Sequence, residues 1–209
     1  MNLYLVRHGE SKGNVDKLHE GHDEGLTGEG SRQAHAVAKR FDKIRVDYIL
    51  SSTLIRARQT AEIINRRVKK PIEHTELLSE VKRPSELAGR EEDDPQAQRI
   101  WKLLQENYHD ETYRYSDEET FEDFKWRVTE FLSYSLTLNR DNILCVTHGI
   151  TLRMIVSLTL FGENLNSYEF EKIASHLSTI NTGITICTFE EEEAKWKLLT
   201  WNDHAHLGE

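Results

Sequence analysis

Two apolar runs in this chain end the same way. "NLYLV" (residues 2–6) leads straight into Arg7-His8-Gly9, and "NILCVT" (Asn142–Thr147) leads into His148-Gly149. Both runs have the aliphatic and β-branched character of buried strands. The fold must therefore carry an imidazole at the end of each of two strands, one of them beside a guanidinium. An ordinary strand end needs only a turn residue there.

The rest of the chain supplies the alternation such strands require. Thr27 is placed to cap a helix from about Gly28 to Lys43, with Ala34, Val37, Ala38 and Phe41 on one face. "VDYILSS" (Val46–Ser52) reads as a second strand, followed by a helix near Leu54–Arg67, and "PIEHTELL" (Pro71–Leu78) as a third. Phe121, Phe124, Val128, Phe131 and Leu132 recur at helical spacing ahead of the fourth strand, Asn142–Thr147, and a helix from about Ile150 to Phe161 comes after it. "TGITICTF" and "KWKLLTW" flank Glu190–Glu193 and read as a hairpin with a charged turn.

Strands alternating with helices predict an α/β fold: a three-layer sandwich with a largely parallel central sheet flanked by helices. The 209 residues suit a single domain, 1–209. Residues 82–120 stand apart. They hold Pro84, Pro95, the charge run "REEDD" and one amphipathic helix over roughly Pro95–Asn107, and read as a small lid-like insertion.

The net charge of −9 argues against nucleic acid or an anionic membrane as partner, because phosphate backbones need clustered Lys and Arg. It leaves room for a small phosphorylated substrate in a locally positive pocket. Cys145 and Cys187 are the only cysteines and lie in strand-like runs, so two buried thiols are expected rather than a disulfide framework. No run approaches membrane-spanning length and the N-terminus lacks the pattern of a secretory signal, which gives a cytoplasmic expectation. His204 and His206 have no Cys or carboxylate spacing around them that would make a zinc site, and no metal or other cofactor is expected.

In open α/β sheets ligands sit beyond the carboxyl ends of the strands. If the first and fourth strands are neighbours, His8 and His148 face one crevice. Arg56 follows the second strand within a helical turn, and Glu80 follows the third. These residue types suit phosphoryl chemistry. A neutral imidazole attacks phosphorus to give a phosphohistidine. Arg7 and Arg56 offer planar forks matched to phosphate oxygens, and a protonated His148 adds a donor. Gly9 and Gly149 allow backbone to approach a ligand. A nearby carboxylic acid protonates the leaving alkoxide and later activates water.

"LVRHGES" with a distant "VTHG" resembles the histidine phosphatase superfamily, the phosphoglycerate mutase-like group. "EGLTGEGSRQA", "SSTLIRARQTA" and "LLSE" resemble further segments of that family, so the likeness covers most of the chain, with residues 82–120 the least alignable. The resemblance implies that His8 is the nucleophile, that Arg7, Arg56 and His148 form the phosphate pocket, and that Glu80 is the proton donor. It also implies that Asn14 is a lesser phosphate contact and Gly21 a backbone feature of the substrate loop. The run after the acid, "EVKRPSELAGR", lacks the Trp-Glu-Gly ending of many members, which keeps Glu76 as an alternative acid. The Arg-His-Tyr-Gly type segment of true mutases is also missing. A metal-independent phosphatase is therefore expected ahead of a mutase-type phosphotransferase, and both ahead of a non-catalytic binding module. Lys82 and Arg83, just after the acid, are placed either to grip a second anionic group or to lie in a solvated loop. The residues leave the substrate and the oligomeric state open.

Overall fold

The computed structural model describes residues 1–16, 24–91 and 93–208. Among them, six strands form one sheet: β1 (Asn2–Arg7), β2 (Tyr48–Ser52), β3 (Ile72–Thr75), β4 (Asn142–Thr147), β5 (Ile184–Glu190) and β6 (Lys195–Asp203). The strand order is β3-β2-β4-β1-β5-β6. The first four in that order run parallel, and β5 and β6 close one side as an antiparallel hairpin, so the sheet is mixed.

Side-chain alternation along the strands divides the core into two. Leu3 and Leu5 of β1 and Ile143 and Cys145 of β4 point to one face. There they meet Phe124 and Phe131 of α5 (Phe121–Thr137), Ile155 of α6 (Gly149–Phe161) and Phe170 of α7 (Ser167–His176). Val6, Leu144 and Val146 point to the other face, against Val37 of α2 (Gly28–Arg40) and Ala57 and Ile64 of α3 (Ile55–Val68). The α/β sandwich expected from the alternation is thus present. Both cysteines are buried free thiols.

Local signals set most boundaries. Thr27 caps α2 by accepting from Gly30 N. Thr120 and Asp123 form a reciprocal capping box on α5. Asp94 caps α4 (Pro95–Glu106), and Pro95 occupies the first turn, where its missing N–H costs nothing. Leu87, Ala97 and Ile100 form a small separate apolar cluster with Trp101 and Leu104 in the 82–120 segment.

Three elements differ from expectation. β3 ends at Thr75, because Thr75 Oγ1 caps a 3-10 turn over Glu76–Leu78. A short helix, α1 (Lys12–Asp16), occupies what reads as polar loop. α7 was not evident from periodicity and is set instead by the Asn166–Glu169 capping box.

Candidate active site

Register brings the two histidines together. In the parallel β1–β4 pair Arg7 lies opposite Thr147, and His8 N donates to Thr147 O at 2.9 Å. His8 and His148 therefore leave the sheet side by side, with ring centroids 5.0 Å apart and planes inclined at 55°. Both are buried, as is Arg56 in the first turn of α3.

The environment of His8 fixes its chemical form. Its Nδ1 lies 2.7 Å from Gly9 O. A carbonyl only accepts, so Nδ1 carries the proton and Nε2 keeps its lone pair. Burial holds the pKa of His8 well below the ordinary 6.5, and the charges of His148, Arg56 and Arg7 push the same way. His148 is also held well below 6.5, by burial and by Arg56, Arg7 and Arg127. Its Nε2 lies 2.8 Å from Ser52 Oγ, and its buried Nδ1 has no hydrogen-bond partner among the described residues.

Arg7 is anchored through Nη1 to Thr179 O at 2.6 Å. The segment 179–182 wraps over this strand end. Thr182 N donates to Arg7 O at 2.9 Å, and Asn181 Nδ2 donates to His8 O at 2.9 Å and to Asn14 Oδ1 at 3.2 Å. Asn14 lies in α1 and also accepts from Ser11 N. Gly21 lies outside the described residues, as do His19 and His22.

Glu80 sits at the N-terminus of α6, the helix that His148 opens. Its Oε1 accepts from Val81 N, Thr151 N and Thr151 Oγ1 at 3.0, 3.0 and 3.1 Å. Its Oε2 accepts one bond, from Ile150 N at 3.0 Å. Glu76 is engaged elsewhere, holding Thr53 Oγ1 and Ser79 Oγ at 2.7 and 2.9 Å. Of the two carboxylates, Glu80 is the one placed on the helix of His148.

Two glycines near the site are required by close packing within the protein. A Cβ on Gly9 would stand 2.4 Å from Gly30 O, and one on Gly30 would stand 2.0 Å from Glu10 O. Residues 9–10 thus approach the first turn of α2 closely. A Cβ on Gly149 would meet Thr179 Oγ1 at 3.1 Å and Arg7 Nε at 3.6 Å, so this glycine makes room for the Arg7 anchor.

Three positioning residues escaped the sequence reading. Ser52 orients His148; the Ser51-Ser52 strand end was visible, but its pairing with His148 was not. Asn181 fastens the His8 carbonyl; it lies just ahead of the "TGITICTF" run, and nothing in the sequence singled it out. Arg127 of α5 donates to the carbonyls of Glu76, Leu77 and Ser79 at 3.3, 3.1 and 2.9 Å and forks onto Glu119 at 2.6 and 2.8 Å. It thereby pins the segment that ends in Glu80. Among the described residues no group of three His, Cys, Asp or Glu could hold a metal ion.

The family model for the histidine phosphatase superfamily (branch 1) matches residues 3–204. This chain belongs to that superfamily. A Salmonella arizonae protein provisionally named phosphoglycerate mutase GpmB is 32% identical, over 99% of this chain and 95% of its own length. A Hydrogenobacter thermophilus protein provisionally named phosphoserine phosphatase 2 is 32% identical, over 92% and 91% respectively. The solved structure of Bacillus stearothermophilus YhfR superposes with a TM-score of 0.84 at 25% identity, covering 99% of this chain and 98% of that one. The α/β sandwich described above is thus the fold of a solved protein over its whole length.

Proposed function

We propose that this histidine phosphatase hydrolyses a phosphomonoester, without metal, through a covalent phosphohistidine on His8. The observation that carries the reading is the His8 ring: neutral, tethered at Nδ1, with the Nε2 lone pair left for attack and two arginines and a second histidine around it. Nε2 attacks phosphorus, the P–O bond to the leaving alkoxide breaks, and Glu80 gives that oxygen a proton. Water then attacks the phosphohistidine as Glu80 takes its proton. The P–N bond breaks, inorganic phosphate leaves, and Nε2 recovers its lone pair. Oε2 of Glu80 accepts one hydrogen bond against three at Oε1, which makes it the oxygen that carries the travelling proton. Arg7, Arg56 and His148 meet the charge of the phosphoryl group. An incoming dianion favours a proton on His148 Nδ1, and that buried atom becomes a donor.

Both kinds of relative, mutase and phosphatase, bear on this reading. A mutase must hold its product for a second transfer, and the chain lacks the Arg-His-Tyr-Gly type segment, so hydrolysis is the better supported outcome.

Rapid quench with labelled substrate should trap an acid-labile, base-stable adduct in the native protein and none in His8→Ala. Hydrolysis of para-nitrophenyl phosphate should persist in EDTA. Label on serine or cysteine, or strict dependence on added metal, would overturn the reading. Efficient interconversion of phosphoglycerates would favour the mutase.

A further inference from the structure

A cleft open to solvent lies beside the residues that hold Glu80. Val81 and Ile150 line it, and their backbone N–H groups hold the Glu80 carboxylate. Phe121, Phe170 and Tyr108 supply much of the remaining wall. The cleft thus meets the site through two residues that hold the Glu80 carboxylate.

Among the described residues one cation lines the cleft, Arg83. Its guanidinium lies 4.7 Å from the centroid of the Trp101 ring. Among the described residues it makes no hydrogen bond or ion pair. Stacking restrains the side chain without using its N–H donors. Of the opposite charges acting on it Glu80 is the strongest, and that carboxylate is held by backbone N–H groups and Thr151 Oγ1. Lys82 pairs with Asp117 at 3.0 Å, Glu119 is forked by Arg127, and the Glu118 carboxylate accepts from Tyr115 N and Ser116 N. Arg83 is left as a pre-positioned fork with its donors unspent.

We propose that this cleft is the space for the leaving group, and that Arg83 selects substrates whose leaving alcohol carries a carboxylate. This rests on the phosphatase reading and specifies its substrate class. A planar carboxylate matches the guanidinium fork. Charge favours it over a second phosphate: Asp110, Glu118 and Glu119 line the same cleft, and their repulsion of a dianion is about twice that of a monoanion.

O-phospho-L-serine and O-phosphoethanolamine are a matched pair differing by the carboxylate alone. The wild type should prefer the former by about 10–100-fold in kcat/KM, the worth of one charge-assisted contact. Arg83→Gln should bring the ratio to within about threefold of unity, and Arg83→Lys should restore part of it. A wild-type ratio near one, an unchanged ratio in Arg83→Gln, or an equal loss on both substrates would overturn the proposal. So would a preference for a sugar bisphosphate over the carboxylated substrate. Calorimetric titration of His8→Ala with the same two ligands, with and without Arg83→Gln, reads the preference without turnover. An Arg83-dependent binding ratio in a protein without hydrolytic activity would remove the phosphatase reading and leave this one. Hydrolysis without any ratio would do the reverse.

Discussion

Acidifying the protein should destabilise it through the same histidines that make the site reactive. In the unfolded chain His8 and His148 regain a pKa of 6.5, while in the folded protein both are held well below it. Below pH 6.5 the unfolded state binds more protons, so stability rises with pH there and is lost as the pH falls toward the folded pKa values. Between pH 7.5 and 5.5 each histidine that stays neutral when folded should cost about 1.4 kcal/mol, or about 3 kcal/mol for the two. That is a large part of a typical domain's ~5–15 kcal/mol. His206, lowered to about 4 chiefly by burial, adds in the same direction. His8→Gln removes one titrating group but none of the causes acting on His148, which are burial, Arg56, Arg7 and Arg127. Urea unfolding of wild type and His8→Gln at the two pH values, in phosphate-free buffer, isolates the His8 share as a double difference. The wild type should lose about 1.4 kcal/mol more than the variant. If the two lose the same amount to within about 0.3 kcal/mol, His8 titrates normally when folded, and the argument for a neutral nucleophile fails.

Glu80→Gln should slow alkyl phosphates by ~10²–10⁴-fold and para-nitrophenyl phosphate far less, since nitrophenolate leaves without a proton; equal slowing of both, or a selective loss in Glu76→Gln instead, would move the acid role elsewhere. Gly30→Ala should cost about 1–3 kcal/mol and lower kcat/KM, because its Cβ would stand 2.0 Å from the backbone oxygen of Glu10, two residues from His8; wild-type melting and activity would show that this approach relaxes freely.

Local sequence determined the elements that carry the chemistry. The apolar runs ending in Arg7-His8-Gly9 and His148-Gly149 sufficed to place two imidazoles at strand ends, because strand propensity and a following glycine are short-range properties. Thr27 and Asp94 likewise mark helix starts by hydrogen bonds made within two or three residues, and Pro95 by a missing N–H that the first turn does not need. The boundary of β3 was missed for the same kind of reason. Glu76–Leu78 keeps an apolar look, but a cap from Thr75 turns it out of the sheet. What joins distant segments was not legible. That β1 and β4 are neighbours, in a register that sets Arg7 opposite Thr147, is decided by pairing across 140 residues. Ser52 on His148, Asn181 on the His8 carbonyl and Arg127 on the segment before Glu80 are contacts between residues 96, 173 and 48 positions apart. Serine, asparagine and arginine in such places read as ordinary turn or surface residues until the sheet closes around them. The choice between Glu80 and Glu76 belongs to the same class. Two glutamates four residues apart are alike in sequence, and only the docking of α6 gives one of them the N–H groups of Ile150 and Thr151.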